Sequence, residues 1–233
     1  GKWTAYLTLQ GQHQDKTIIK LKDNASGYSS NSNPKAVLYT ASECAFGGEN
    51  CNSSADWDNL GEGLAGFHNN IFDLTVDTGK GNPGAIGIDY LAHNNGAIRD
   101  VKIRSGDGQG HAGLDSTRKW PGPALVKNLT VEGFDYGIDV AQNQTIMTFE
   151  HIVLRNQNLA GLRNNQNVLA VRDLQSVNSV PAIINNGGAI ALITLVDGSL
   201  TGGSSSNAAI DNNGGLFARN VITEGYKAAI TQA

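Results

Sequence analysis

Four residues at one spacing carry most of the chemistry this sequence offers: Asp89, Asp115, Asp139 and Arg163. Each ends a matching segment: Gly87-Ile88-Asp89, Gly113-Leu114-Asp115, Gly137-Ile138-Asp139 and Gly161-Leu162-Arg163. If these segments stack as neighbouring strands, three carboxylates and an arginine share one solvent-facing column at about 4.8 Å intervals. Like charges stacked that closely repel unless a cation or a proton relieves them. The plain account is a row of solvated residues near turns, and three chemical accounts compete with it. In the first, Asp89 and Asp139 stand two steps apart, roughly 9–10 Å, near the upper end for inverting glycosidases. Asp115 between them then raises a neighbour's pKa and helps it act as an acid. In the second, the stacked carboxylates hold a calcium ion through hard oxygen ligands. In the third, a calcium-assisted lyase uses Arg163 or Lys119 as base or charge stabiliser. Asp139 beside Arg163 is expected to form a charge pair.

The flanking residues suit a sugar. Tyr90 and His93 follow Asp89, Arg118-Lys119-Trp120-Pro121-Gly122-Pro123 follows the Asp115 segment, and Gln142 and Asn143 follow Asp139. Together they are expected to form a groove wall of aromatic and amide groups, with Trp120 as a platform for a sugar ring. Ser105-Gly106-Asp107-Gly108-Gln109-Gly110-His111 reads as a turn, and in a functional reading it places Asp107 or His111 at the groove edge. It is not a phosphate-binding loop, because no helix follows and no Lys-Ser/Thr pair closes it.

The elements that must position these residues repeat. First strands run Ile71-Phe72-Asp73-Leu74-Thr75-Val76, Ile98-Arg99-Asp100-Val101-Lys102-Ile103 and Val126-Lys127-Asn128-Leu129-Thr130-Val131. The pattern continues from Phe149, Val171, Ile193 and Phe217. Positions one and four are apolar nearly throughout, and the polar pair between them predicts a bend or bulge. Second strands follow in register, with third positions Asp89, Asp115, Asp139, Arg163, Ile184, Asp211 and Thr231. A small residue opens most of them, which permits a tight corner. A rung of roughly two dozen residues cannot fold alone, so stacking must bury one continuous apolar column. The predicted fold is an all-β, right-handed parallel β-helix formed by a single chain. A β-sandwich explains the strands but not their repeating phase. Asn164-Asn165, Asn185-Asn186 and Asn212-Asn213 recur after the second strands and predict stacked asparagines at a corner. Asp73, Asp100, Asn128, Glu150 and Asp173 form another outward column, among Lys102, Lys127 and Arg172, where no chemistry is expected.

Residues 1–233 read as one β-helix domain: an early rung from Tyr6 to Leu21, a loop-rich excursion over 23–63, and regular coils over 64–233. The sequence stops in mid-rung at Ala229-Ile230-Thr231 without a capping helix, so it reads as a fragment of a longer chain or as an end covered by another chain.

Composition narrows the function classes. The chain is 16% charged with a formal net charge of −4, and no basic block stands out, which argues against a nucleic-acid partner. The apolar run from Ala189 to Val196 is far too short to span a bilayer. Cys44 and Cys51 are two free thiols or, the favoured reading, a small-loop disulfide, which implies an oxidising, extracellular compartment. No signal peptide is visible, although a mature secreted chain would have lost one. Asn128 belongs to a sequon but lies in a predicted strand, a poor place for a glycan.

The segment from Phe67 to about Asn178 resembles the pectin-lyase-like β-helix superfamily, its rung openings being Phe72-Asp73-Leu74-Thr75-Val76-Asp77 and similar segments. Gly87-Ile88-Asp89, Ala97-Ile98-Arg99-Asp100-Val101 and Lys127-Asn128-Leu129-Thr130-Val131 are similar to rungs of the β-helical exo-β-1,3-glucanases of glycoside hydrolase family 55. Leu9-Gln10-Gly11-Gln12 followed by Lys16-Thr17-Ile18-Ile19-Lys20-Leu21 looks like their entry rung. The sequence has Gly110-His111-Ala112 rather than the Gly-His-Gly of polygalacturonase-type hydrolases, and it lacks their Asp-Asp pair. The resemblance implies a glycoside hydrolase acting on an extracellular or cell-wall polysaccharide. Its expected catalytic residues are Asp89, Asp115 and Asp139 with Arg163 as partner, and no cofactor is expected unless calcium binds. A polysaccharide lyase and a non-catalytic carbohydrate-binding or adhesive module are the alternatives.

Overall fold

A computed structural model describes residues 5–40, 66–118, 120–141 and 146–232. The chain is a parallel β-helix of about seven turns, consistent with the right-handed sense that parallel crossovers take. First strands are β1 (Thr8–Gln10) continued by β2 (Ile18–Lys20), then β4 (Asn70–Asp77), β6 (Gly96–Arg104), β8 (Ala124–Glu132), β10 (Ile146–Arg155) and β12 (Val168–Val177). Second strands are β3 (Lys35–Tyr39), β5 (Ala85–Asp89), β7 (Ala112–Ser116), β9 (Tyr136–Ala141) and β11 (Ala160–Asn165). Beyond them β13 (Ile183–Thr201) and β14 (Ala208–Thr223) each run through a corner, joining one rung's second strand to the next rung's first. The last strand, β15 (Ala228–Gln232), pairs with β14. No helix among the described residues is long and apolar enough to cross a membrane.

The predicted bend is a single left-handed residue. Asp73, Asp100, Asn128, His151, Asp173, Asp197 and Asn220 stack with φ between 52° and 59°. Asp and Asn dominate because their short polar side chains tolerate this region. The pairing register skips this residue in each rung, for example between Phe72↔Arg99 and Leu74↔Val101. The column corrects three expectations. Its fourth member is His151, while Glu150 pairs in register with Lys127 and Arg172. The rung predicted to open at Ile193 opens at Leu195, which faces Val171, and the one predicted to open at Phe217 opens at Ala218. Asn128 is exposed despite its strand, because a left-handed residue turns its side chain outward, where it donates to Asp100 at 2.8 Å.

The small residues that open the second strands have a reason other than the tight corner expected of them. None of Gly87, Gly113, Gly137 and Gly161 has a positive φ. A Cβ on Gly87 would lie 2.7 Å from the carbonyl oxygen of Gly113, and one on Gly113 would lie 2.8 Å from that of Gly137. In these rungs the following coil therefore leaves no room for a methyl group on the one before it. Gly113→Ala is expected to destabilise the protein by about 1–3 kcal/mol through overpacking, measured as a lower chemical-denaturation midpoint; an unchanged midpoint would show that the rungs can separate.

The core is one column of Ile, Leu and Val running from Ile71 to Ile210. At the corner after the second strands, Asn164 donates to Asn185 at 2.9 Å and Asn185 to Asn212 at 2.8 Å. This is the predicted asparagine ladder, made by the first residue of each pair; Asn165, Asn186 and Asn213 are exposed. The early rung forms as expected, with Leu9 facing Ile71 and Ile19 facing Val76. The excursion is narrower than 23–63, because Lys35–Tyr39 is a rung strand paired with β5. Cys44 and Cys51 lie outside the described residues.

Candidate functional site

The column is real and extends further than its sequence pattern. Asp89 faces Asp115, Asp115 faces Asp139, and Asp139 faces Arg163 across successive strands. Tyr39 of β3 adds a member before Asp89. The expectation that the column faces solvent is corrected: Asp89 is 8% exposed, Asp115 5% and Asp139 1%. The carboxylates point away from the core, but side chains from other segments roof them.

Two arginines supply the charge relief that the stacking demands. Arg118 Nε donates to Asp89 Oδ1 at 2.7 Å, its Nη2 donates to the Thr40 carbonyl at 2.6 Å, and its guanidinium lies 4.0 Å from the centre of the Tyr39 ring. Arg163 grips Asp139 with two donors, Nε at 2.8 Å and Nη2, and stacks 3.7 Å from the centre of the Tyr136 ring. Asp115, between the two pairs, takes the Thr117 amide at 2.8 Å and the Thr117 hydroxyl at 2.7 Å on one oxygen.

Burial outweighs these partners at Asp89. Loss of water raises its pKa from 3.8 to about 7, the Arg118 charge opposes the rise, and the Asp115 charge adds to it. Burial also raises Asp115; the Thr117 hydroxyl opposes that rise, and the Asp139 charge adds to it. Two stacked carboxyls of this kind resist ionising together, so with Asp89 raised to about 7 the pair readily holds one proton near neutral pH.

A cleft of about 520 Å³ opens over this pair. Asp89, Asp115, Thr117 and Arg118 line it together with Pro34, Lys35, Ala36, Tyr39 and Ile86. Asp139 and Arg163 are not among its lining residues. Sequence reasoning missed Arg118, Thr117 and Tyr39 as site residues. A signal existed for Tyr39, since Lys35-Ala36-Val37-Leu38-Tyr39 aligns with Ala85-Ile86-Gly87-Ile88-Asp89. Nothing in the sequence showed that Arg118 folds back on Asp89 rather than continuing into its loop.

The other predicted residues scatter. Tyr90 is fully buried and its hydroxyl donates to the Asn69 carbonyl at 2.8 Å, so it cannot wall a groove. Its side chain follows the outward Asp89 and therefore turns inward. His93 is half-buried between Phe67 and Trp120. Asp107 is exposed; it accepts from Gln109 N within its own turn and from Gly81 N of the preceding rung. His111 pairs with Asn31 at 2.6 Å and sets its ring edge against Tyr136. Lys119, Gln142 and Asn143 lie outside the described residues.

His111, Asp115 and Asp139 each offer a ligand atom within 4.8 Å of the others. Both oxygens of Asp139 are already taken by Arg163. A cation there would displace or face a guanidinium, so these residues fit a metal ion poorly.

Fold and site together define a parallel β-helix with an arginine-braced carboxylate column that opens into one cleft. No protein-family model, curated protein or solved structure matches the chain.

Proposed function

We propose that the protein is a carbohydrate-active enzyme, a glycoside hydrolase that cleaves an extracellular or cell-wall polysaccharide. The observation that carries this reading is the placement of Asp89 and Asp115 in adjacent strands lining one cleft, with Asp89 raised to about 7. Adjacent strands lie about 4.8 Å apart, close to the roughly 5–5.5 Å between the two carboxyls of retaining glycosidases. Asp89 then protonates the leaving oxygen while the Asp115 carboxylate attacks the anomeric carbon and forms a glycosyl ester. Water, deprotonated by Asp89, attacks that carbon and frees Asp115. This pairing replaces the two-step pair of Asp89 with Asp139, because Asp139 is committed to Arg163 and lies off the cleft. Arg163 is a positioning residue in this scheme, and Arg118 holds Asp89 in place.

Incubation with a panel of neutral and acidic polysaccharides tests the reading through two signals. Hydrolysis creates reducing ends without ultraviolet absorbance. Absorbance rising with the ends would replace hydrolysis by β-elimination and make the protein a lyase. Neither signal, with binding retained, would leave a binding or adhesive module and end the enzymatic proposal.

A further inference from the structure

A second surface runs beside the acid column. Rings stand at the entrances to successive rungs: Tyr6 before β1, Phe67 and His68 before β4, His93 before β6, and Trp120 before β8. They touch in sequence. Tyr6 stacks on His68 at 5.3 Å and on Phe67 at 6.4 Å; Phe67 meets His93 edge-on at 5.1 Å; His93 meets Trp120 at 6.0 Å. At rung spacing the row is about 14 Å long. His93 and Trp120 lie on the stretches of chain that leave Asp89 and Asp115, so the row belongs to the same rungs as the column.

Three features separate this row from ordinary core packing. Tyr6 is 71% exposed, and the other four rings are half-buried. Tyr6, His68 and Trp120 all have φ between 54° and 62°, a region that bulky side chains rarely adopt and that concentrates at functional sites. Beneath the row, the buried Asn69 Oδ1 and His93 Nδ1 have no hydrogen-bond partner among the described residues. Buried polar atoms are almost always paired, so these two mark an unusual base beneath the rings. Its base is nonetheless firm: Ala92 N donates to Pro121 O and Asn95 N to Pro123 O, both at 3.2 Å. Burial lowers the His93 pKa, which keeps the imidazole neutral at pH 7 and able to accept a hydrogen bond.

We infer that the row Tyr6–Phe67–His93–Trp120 is a binding ridge for a run of neutral sugar rings lying along the helix axis. The inference rests on the proposed polysaccharide substrate. Aromatic faces take the apolar faces of pyranose rings, and with a formal net charge of −4 the chain disfavours a polyanionic polymer of uronic acids. The ridge would hold the polymer parallel to the column and feed it past Asp89 and Asp115.

Affinity electrophoresis of the full chain through gels containing laminarin, xylan or polygalacturonate tests this, with Asp115→Asn used so that substrate is not consumed. Laminarin or xylan is expected to retard migration. Tyr6→Ala and Trp120→Ala should each weaken that retardation about tenfold, the equivalent of about 1.4 kcal/mol. Tyr6 is exposed enough that its variant will fold even if Trp120→Ala does not. Wild-type retardation in the Tyr6 variant, no retardation by either neutral polymer, or retardation by polygalacturonate alone overturns the ridge. The outcome is independent of turnover: ridge-dependent retardation in a protein that releases no reducing ends would remove the hydrolase and keep the ridge.

Discussion

Asp115→Asn and Asp89→Asn are each expected to lower turnover on a cleaved polysaccharide by roughly a thousandfold while leaving the circular dichroism spectrum unchanged. Both amides are close in shape to the carboxylates they replace. In Asp89→Asn the amide oxygen still accepts from Arg118, so the brace to Thr40 and Tyr39 persists. What is lost is the proton that Asp89 gives and takes. The wild-type pH profile should show this proton directly. Asp89 works as an acid in its neutral form, so kcat/KM should fall as pH rises through about 7. A second fall at low pH should follow protonation of Asp115, above the usual carboxylate range because that group is also raised by burial. Stability gives a readout that does not depend on substrate. With an unfolded pKa of 3.8 and a folded pKa of about 7, only the folded state holds the Asp89 proton between those values. The Asp89 contribution to stability is therefore fully present below the lower value, declines as pH rises through the window, and is lost above it. Asp89→Asn should flatten that decline. A slope unchanged in the variant would mean that Arg118 keeps Asp89 ionised throughout, and the acid would have to be another group.

Much of this arrangement was legible before any coordinates. The register of the acid column followed from a glycine, an apolar residue and a polar residue recurring in phase, and Asp89, Asp115, Asp139 and Arg163 pair as that phase requires. The outward column slipped by one residue at Glu150, and rung phase was lost where apolar residues crowd the corner. In β13 both Ile193 and Leu195 are buried, so apolar periodicity alone cannot choose between them. The left-handed residues Asp197 and Asn220 do choose, and a search for Asp or Asn at the third position would have corrected both rungs. The roof over the column was not legible for a different reason. Tyr39 belongs to the first coil and Arg118 to a connection, and they meet Asp89 only because stacking brings three distant stretches together. Exposure read from strand alternation counts the two faces of a sheet; it does not count what later folds across one of them. The glycines show the same limit, since their neighbours are carbonyls one rung away rather than residues nearby in sequence.

Replacing Arg163 should be the most damaging single change to stability in the column. Arg163→Met keeps an apolar stem against Tyr136 but strands Asp139, which is 1% exposed and takes both of its charged hydrogen bonds from this guanidinium. Breaking a buried ion pair on one side costs about 3–5 kcal/mol, because the remaining charge is neither solvated nor paired. In a chain of this size that corresponds to a fall in Tm of roughly 10 °C. The cause can be separated from lost packing by removing the other partner. Asp139→Leu in the Arg163→Met background deletes the stranded charge and fills its place with apolar volume, and it should recover most of the lost stability. Failure of the double variant to recover would locate the cost in the Arg163–Tyr136 stack instead. The pair also bears on the site without touching the cleft. Asp139 raises the Asp115 pKa through its charge and the Arg163 cation attracts the ionised Asp115, so Asp139→Asn, which removes the anion and keeps the guanidinium, should move the low-pH limb of the activity profile downward, toward the range of an ordinary carboxylate. A structural pair with no electrical reach would leave that limb where it stands. The same substitution therefore distinguishes a brace that only holds the rungs together from one that also sets the protonation of the carboxylate beside it.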